Sequence, residues 1–289
     1  MDLPPPGPSF ASFGTVPPTG PVVISVSHGG RDYPPELVAA LRVPLPAMMA
    51  LEDRLIDRVA RAAHDDQPML VQRRARAWID LNRSEEERDP LIDMGARGTG
   101  RGSAKLRSGL GLVPRRVAGY GDIWSRRFGD AEMLERIAAD HRPYHQALAD
   151  RLAEVRARFG VAVLLDLHSM PPLGSPTSYP RVVIGDRHGT TADARFVRRI
   201  EAAVRASGVA VTRNAPYAGG HIVERHGAPR RAIHAIQLEL DRSLYLDAAL
   251  ESPGEGFDAT VALVRQVLAM LADEALNGNP SQSLPLAAE

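Results

Sequence analysis

The chain has 289 residues and contains no cysteine. Disulfide bonds and thiolate ligands are therefore excluded, and any bound metal ion must be held by histidine, aspartate or glutamate. A mixed set of nitrogen and oxygen ligands favours zinc or another divalent ion. The lack of cysteine also agrees with a cytoplasmic protein.

Lysine is almost absent as well. Lys105 is the only one, and the 35 basic residues are balanced by 35 acidic residues. A nucleic-acid-binding protein usually has a net positive charge and a concentrated basic face, so we expect no nucleic-acid partner. The glycine-rich segment 97–116 is locally basic. One possible function is therefore that of a non-enzymatic protein that binds an anionic partner through this segment, as an alternative to an enzyme.

The sequence has no apolar run long enough to cross a bilayer and no signal-peptide pattern at its start, so we expect no membrane association. Residues 1–18 form a predicted proline-rich arm, and residues 278–289 a loose tail. Between them, residues 19–277 are predicted to form one catalytic domain. The sequence gives no indication of the oligomeric state.

Predicted strands and helices alternate along the chain. Strand-like runs lie at 21–27, 69–72, 76–81, 161–167, 181–185, 209–212 and 232–240. Helical patterns lie at 34–42, 51–63, 131–159, 190–206 and 257–275, with Pro143 expected to kink or divide the third. This alternation predicts an α/β fold with a mixed, mostly parallel central sheet flanked by helices. Residues 84–125 have little periodicity and are predicted to form a long loop, which is either functional or partly mobile.

Two histidines follow or end apolar strand-like runs. His28 comes directly after the run 21–27, and His168 ends the run that starts at Val161. Ligands of open α/β sheets bind at the carboxyl ends of the strands. Two imidazoles in that position, with acidic residues available nearby, predict a catalytic zinc site.

A carboxylate ligand is harder to choose. In the predicted helix 51–63, Asp53 and Asp57 are four residues apart and share one side. Glu52 and Asp53 fall in the predicted first turn, where carboxylates also suit the helix dipole. A metal ligand and an ordinary solvated helix face are equally compatible with Asp53. The residues alone do not favour Asp53 over Glu52.

Three further segments carry candidate functional residues. Arg83 follows a predicted strand and is a natural anchor for an acidic substrate, or else the partner of a nearby acid among residues 85–89. The glycine-rich patch 217–227 is suited to covering a substrate, although a turn with exposed histidines would look the same. On the last predicted strand, Glu239 shares a face with two other polar residues, and a carboxyl there can serve as a general base.

Taken in order, these motifs resemble the N-formylglutamate amidohydrolase family over about residues 20–250. The segments that carry the resemblance are Ser27-His28-Gly29-Gly30, Glu52-Asp53, Asp80-Leu81-Asn82-Arg83, Asp166-Leu167-His168-Ser169-Met170, the patch 217–227 and Gln237-Leu238-Glu239. The resemblance implies a zinc carboxypeptidase-like fold, one catalytic zinc ion, and hydrolysis of N-formyl-L-glutamate to formate and L-glutamate. A place in histidine degradation stays open.

The same resemblance implies roles for individual residues. The zinc ligands would be His28, His168 and a carboxylate, for which Asp53 is preferred. The carboxypeptidases carry His-x-x-Glu, whereas position 31 here is Arg31. Asp32 and Glu52 therefore remain alternatives to Asp53.

On the substrate side, the resemblance makes Glu239 the general base and Arg83 the group that binds a substrate carboxylate or the oxyanion. The expected substrate-binding residues are Asn82, Arg83, Gly220 and His226, with Arg242 as a weaker candidate for a carboxylate. Asp166 is expected to orient the imidazole of His168 or to make an ordinary strand-end hydrogen bond.

Two other enzyme classes share some of these features. Another zinc amidase or carboxypeptidase on the same scaffold would contain the same motifs and differ in the acyl group that it accepts. A serine hydrolase is disfavoured, because Ser27 and Ser169 adjoin histidines without a Gly-x-Ser-x-Gly motif.

Overall fold

A computed structural model describes residues 9–97, 103–174 and 179–277. Its strands, in chain order, are β1 (Phe10–Phe13), β2 (Val22–Val26), β3 (Met69–Gln72), β4 (Arg116–Val117), β5 (Gly121–Asp122), β6 (Ala162–Met170), β7 (Val182–Gly185), β8 (Val211–Arg213) and β9 (Ile233–Asp241). Seven of them form one sheet in the order β1-β3-β2-β6-β9-β7-β8, and β4 pairs with β5 separately.

The centre of the large sheet is parallel. Strands β3, β2, β6 and β9 run in the same direction, whereas β1 and β7 pair antiparallel with β3 and β9. The predicted α/β fold with a mixed, mostly parallel sheet is therefore confirmed. Strand β6 lies directly beside β9 with His168 opposite Glu239, so the strand pairing alone places two candidate functional residues side by side.

Helices cover both faces of the sheet. They are α1 (Pro35–Ala39), α2 (Ile56–Ala63), α3 (Ala104–Arg107), α4 (Asp130–Arg136), α5 (Arg142–Phe159), α6 (Ala194–Ala206), α7 (His221–His226) and α8 (Phe257–Asn277). Along β6, Val163 and Leu165 join the core beneath α2, α6 and α8, while Ala162 and Leu164 join the core on the α5 side. Burial on both faces explains why the first half of this strand, residues 162–165, is continuously apolar in sequence.

The predicted break in the long helical region near Pro143 takes the form of a π-helical turn. Residues Ile137–His141 make this turn between α4 and α5, and Pro143 occupies the first turn of α5. The helix continues from α4 through this turn into α5, and the wider turn just before the proline relieves the clash of its ring with the carbonyl four residues earlier.

The predicted strand 76–81 is wrong. Residues 75–83 instead form successive turns, in which Trp78 N donates to Ala75 O and Arg83 N donates to Asp80 O. The apolar side chains of this segment, Ile79 and Leu81 among them, are buried against the α5-side core without strand pairing. Core packing, and not strand pairing in a sheet, therefore accounts for the apolar residues of this segment.

The predicted helix 51–63 begins later than expected. A 3₁₀ helix covers Leu45–Leu51, and α2 starts only at Ile56, after Leu55 with φ of 58°. Asp53 therefore lies in the connection before the helix. Its amide donates to His28 O at 3.0 Å, which ties this connection to the end of β2.

The ends of the chain and the long loop also differ in part from expectation. Strand β1, at Phe10–Phe13, was not predicted and lies inside the predicted arm 1–18. Residues 1–8, 98–102, 175–178 and 278–289, which include the whole of the predicted tail, lie outside the described residues. The predicted loop 84–125 contains the short elements α3, β4 and β5. Among the described residues, no helix has both the length and the apolar character needed to cross a membrane.

Candidate active site

The candidate site lies where the parallel strands end. His28 follows β2, His168 lies near the end of β6, and Glu239 lies near the end of β9. In a parallel sheet these ends meet at one edge, which is where α/β proteins bind ligands. Asp53 joins them through its backbone bond to His28.

His28, Asp53 and His168 form a compact group of possible metal ligands. One ligand atom from each lies within 4.8 Å of the others. His168 Nδ1 is 2.9 Å from Asp53 Oδ2, and His28 Nδ1 is 3.7 Å from the same oxygen. All three residues are at most 3% exposed.

The donor set fits a zinc ion. Ligands of a tetrahedral zinc ion with bonds of about 2.0–2.1 Å lie about 3.3 Å apart. The two nitrogen–oxygen distances, 2.9 and 3.7 Å, lie on either side of this value. Neutral imidazole and carboxylate are both ligands that zinc accepts. Small shifts of these side chains would therefore bring the three ligand atoms to the spacing of a tetrahedral zinc site.

Two buried aspartates bind the Nε2 atoms of the imidazoles, on the side of each ring away from Asp53. His28 Nε2 donates to Asp80 Oδ1 at 2.7 Å, and His168 Nε2 donates to Asp166 Oδ2 at 2.8 Å. These bonds leave the Nδ1 atom of each ring on the side of Asp53. An acid on the far nitrogen of a histidine ligand is the usual way in which proteins fix its tautomer and orientation.

The charges of the group are strongly coupled. Burial opposes ionisation of Asp53, but hydrogen bonds to His168 and His28 outweigh it and hold the pKa of Asp53 well below its usual range. Burial also opposes the charged form of His168, yet Asp166 and Asp53 raise its pKa well above the usual range. A divalent cation can replace the proton that lies between Asp53 and His168, because metal binding releases protons from its ligands.

Glu239 has the properties expected of a general base. Burial raises the pKa of its carboxyl above the ordinary value, and the negative charge of Asp53 adds to this effect although His168 opposes it. Gln237 Nε2 donates to Glu239 Oε1 at 2.8 Å and holds the carboxylate in place.

A cavity of about 580 Å³ opens over these residues. Its wall includes the candidate ligands and Glu239, together with the charged side chains Arg76, Arg83, Glu87, Lys105, Arg187, Glu224 and Arg242. Arg83 donates through Nε to Leu110 O at 2.9 Å and through Nη1 to Asn82 O at 2.7 Å. Within the described ranges it makes no ion pair with residues 85–89, which was the alternative considered for it. Among the described acids, the one that lies close to it is Asp80, at 4.0 Å.

Asn82 and Gly220 also line the cavity, but both are engaged by the protein itself. Asn82 Nδ2 donates to Gln237 Oε1 at 3.2 Å, and Asn82 Oδ1 accepts from the Ile222 amide at 2.9 Å. The Gly220 amide donates to the same Gln237 oxygen at 2.8 Å. The predicted substrate-binding residue Asn82 therefore joins the turn 80–83 to the glycine-rich patch 217–227.

The alternative carboxylates lie outside the ligand group. Glu52 accepts from the Tyr33 hydroxyl and from Arg54 Nη1. Asp32 is paired with Arg74 at 2.8 Å. Of the three acids considered, the structure brings only Asp53 beside the two histidines.

The prediction of His226 as a substrate-binding residue is corrected by the structure. His226 is buried, it is absent from the cavity wall, and its Nε2 donates to His145 Nδ1 at 3.0 Å. It belongs to a second histidine group, formed with His141, His145 and His221, that the sequence analysis did not identify.

This second group supports the turn that carries Asn82 and Arg83. His141 Nε2 donates to Arg83 O at 2.8 Å, and His145 Nε2 donates to Leu81 O at 3.0 Å. Both nitrogens of His145 are thereby engaged, so it could bind a metal ion only by giving up a hydrogen bond. The His28, Asp53 and His168 group is the better metal site, because it includes a carboxylate and each of its imidazoles has an aspartate on the far nitrogen.

Fold and site together define the class of the protein. A buried carboxyl of raised pKa beside a histidine–aspartate group, at the carboxyl ends of a mostly parallel sheet, is an arrangement suited to acid–base catalysis by an enzyme. The chain belongs to the N-formylglutamate amidohydrolase family, whose family model matches residues 20–246.

Individual relatives agree with this assignment. An N-formylglutamate deformylase of Pseudomonas aeruginosa is 29% identical over 258 residues, which cover 87% of this chain and 92% of the relative. A Pseudomonas putida protein of the same name is 34% identical over 177 residues, or 60% of this chain and 62% of the relative.

The fold also matches solved structures. The crystal structure of N-formylglutamate amidohydrolase from Ralstonia eutropha JMP134 has a TM-score of 0.83 and 29% identity, covering 94% of this chain and 99% of that one. A gene product of Agrobacterium tumefaciens shares the fold at a TM-score of 0.68 and 18% identity, with coverage of 94% and 96%.

Proposed function

We propose that this protein is a zinc-dependent deformylase that hydrolyses N-formyl-L-glutamate to formate and L-glutamate. The observation that carries the proposal is the shared position of Asp53 Oδ2 beside the Nδ1 atoms of His28 and His168, with Glu239 in the same cavity. Family membership and the two deformylases named above support the choice of substrate.

The metal ion would be held by His28 Nδ1, His168 Nδ1 and Asp53 Oδ2. Bound at these atoms, a zinc ion would supply a Lewis acid that polarises the formyl carbonyl and activates water. Asp80 and Asp166 accept the Nε2 protons of the two imidazoles and so keep their Nδ1 atoms turned toward Asp53.

Glu239 is the proposed proton carrier. It accepts the proton of the water that attacks the formyl carbon and returns it to the departing amino nitrogen, so that formate and L-glutamate are released. Its burial favours this role, because a carboxyl of raised pKa gives up the proton less readily to water than an exposed one. Gln237 fixes the carboxylate through its 2.8 Å bond.

Arg83 is the proposed anchor of a substrate carboxylate. Its guanidinium lines the cavity, and two of its nitrogens are fixed by the carbonyls of Leu110 and Asn82. Its Nη2 makes no hydrogen bond to the described residues, so it can donate to a carboxylate or to the developing oxyanion. Asn82 and Gly220 act on the substrate by shaping this wall of the cavity.

The proposal is tested with protein purified in the presence of zinc, by measuring bound metal together with formate release from N-formyl-L-glutamate. We expect one zinc ion per chain, loss of turnover on chelation and recovery on adding zinc. N-acetyl-L-glutamate and a dipeptide that ends in glutamate serve as competing substrates. Equal or better hydrolysis of either one would identify a different amidase or a carboxypeptidase.

A matched pair of neighbouring acids tests the ligand assignment. Asp53→Asn should lose both zinc and turnover, whereas Glu52→Gln should keep both, because Glu52 is equally buried but bonded elsewhere. Full zinc occupancy in Asp53→Asn would refute its role as a ligand. A protein that binds no zinc, hydrolyses nothing and holds polyanions in a salt-sensitive manner would support the non-enzymatic alternative.

A further inference from the structure

The only lysine of the chain lies on the wall of the candidate active-site cavity. Lys105 belongs to the short helix α3, is exposed, and contributes to the same cavity as Arg83 and Glu239. Its Nζ lies 5.7 Å from the centroid of the Tyr217 ring, within the range of a cation–π contact. The ammonium group is therefore held at the rim of the cavity.

Most other cations of the cavity are already neutralised. Arg76 Nε donates to Asp80 at 2.8 Å, and Arg187 Nη2 donates to Glu224 at 2.6 Å. Arg242 Nη2 lies 3.5 Å from Asp53. None of these three arginines is free to bind a substrate anion without giving up a carboxylate.

Lys105 and Arg83 differ from those arginines. Over the part of the chain that the structure describes, Lys105 forms no ion pair, and the acid nearest to Arg83 is 4.0 Å away. The positive charges of Arg83 and Arg76 add to desolvation in lowering the pKa of Lys105 below its ordinary value. The cavity thus contains two cations with no described acid closer than 4.0 Å, one buried next to Asn82 and one at the rim.

We propose that Lys105 binds the side-chain carboxylate of the substrate and so restricts the enzyme to N-formyl amino acids with an acidic side chain. This inference rests on the proposed function, in which Arg83 takes one carboxylate of N-formyl-L-glutamate. Arg83 is directly bonded to Asn82, whose Nδ2 lies 3.3 Å from His168 Nε2. Arg83 is therefore suited to bind the carboxylate next to the scissile bond. The more distant carboxylate would then lie at the rim of the cavity, near Lys105.

The test compares N-formyl-L-glutamate with N-formyl-L-glutamine, which has nearly the same shape and no side-chain charge. Wild-type protein should prefer the glutamate compound. Lys105→Met should lower kcat/KM for that compound by about tenfold to a hundredfold, the usual effect of losing a hydrogen bond to a charged group. The loss should appear mainly in KM, and the value for the glutamine compound should change less than about threefold.

Two further variants serve as controls. Lys105→Arg keeps the positive charge and should recover most of the preference. Arg107→Met removes a cation from the same helix that is not on the cavity wall, and should leave the preference unchanged.

The possible failures can be told apart. If wild-type protein hydrolyses N-formyl-L-glutamate and Lys105→Met keeps the full preference over the glutamine compound, this inference is wrong and the proposed function stands. If wild-type protein hydrolyses neither compound, both are wrong. Because Lys105 is exposed, a folding defect is not expected, and circular dichroism of each variant checks this.

Discussion

Asp166 accepts a hydrogen bond from His168 Nε2 at 2.8 Å, two residues further along the same strand. The second oxygen of this carboxylate accepts from the Ser25 hydroxyl at 2.7 Å, so that Asp166 is itself fixed by strand β2. The acid thus turns the Nδ1 atom of His168 toward Asp53.

Asp166→Asn should therefore weaken zinc binding by about tenfold to a hundredfold, the range found when such supporting acids are removed. The amide has nearly the same shape but no negative charge to hold the Nε2 proton. Zinc affinity is measured by competition with a chelator of known strength. Asp140→Asn is the control, because Asp140 is a buried acid that accepts from the Trp78 indole, outside the ligand group. Equal zinc affinity in wild type and Asp166→Asn would contradict the orienting role.

Glu239→Gln should separate chemistry from metal binding. The variant keeps the size of the side chain but cannot accept a proton, so turnover should fall by about 10²–10⁴-fold, the usual contribution of a general base. Bound zinc should stay at the wild-type level, because Glu239 is not part of the ligand group. Formate release and metal content are measured on the same preparation.

Glu201→Gln is the control for that experiment, since Glu201 is a buried acid paired with Arg205 and Arg213 away from the cavity. It should retain wild-type turnover. If Glu239→Gln retained wild-type turnover as well, another group would have to carry the proton.

The sequence predicted those parts of the site that depend on buried strands. The apolar runs before His28 and His168 became β2 and β6, and the alternation around Glu239 became β9. Period and composition are sufficient there, because the parts of these strands that pack in the core are apolar runs bounded by polar or glycine residues. The meeting of the strand ends then follows from parallel pairing.

The parts that were missed depend on contacts between distant segments. Asp53 was expected on a helix but is held by its backbone bond to His28, 25 residues earlier in the chain. His226 was expected to touch substrate but packs against His145 on another helix. No local periodicity records such contacts, since they arise only when the segments pack together.

The second histidine group predicts a loss of stability in acid. Burial lowers the pKa of His226 to about 4, and Arg225 adds to this effect; burial likewise lowers the pKa of His221 to about 4. The unfolded chain has histidines of pKa about 6.5 and so binds more protons than the folded protein between pH 6.5 and 4. The contribution of these two histidines to the free energy of unfolding is therefore fully present above pH 6.5. It is lost as the pH falls toward 4, by at most about 1.4 kcal/mol per pH unit for each histidine.

His226→Gln isolates one of these contributions. The variant should be less stable than wild type at pH 7.5, because it loses the bond to His145. The difference should narrow as the pH falls from 6.5 to 4, since only the wild type then has to protonate a buried imidazole at this position. Urea unfolding at several pH values measures the difference. A gap that stays constant over this range would show that His226 is not held neutral by the fold.

Gly220 should be intolerant of any side chain for a purely steric reason. A Cβ atom at this position would lie 2.3 Å from Asn82 Oδ1. Gly220→Ala should therefore displace the Asn82 carboxamide from Ile222 and Gln237 and cost about 1–3 kcal/mol of stability, as overpacking does. Turnover should fall with it, because Asn82 shapes the cavity wall next to Arg83. The control is Gly20→Ala, where a Cβ would meet nothing within 4 Å.

A double-mutant cycle tests whether the clash with Asn82 is the cause. In an Asn82→Ala background the obstructing carboxamide is gone, so Gly220→Ala should cost much less stability there than in wild type. Such non-additivity is expected only for side chains in direct contact. If Gly220→Ala is equally costly in both backgrounds, the glycine is required by the backbone of the patch 217–227 and not by its approach to Asn82.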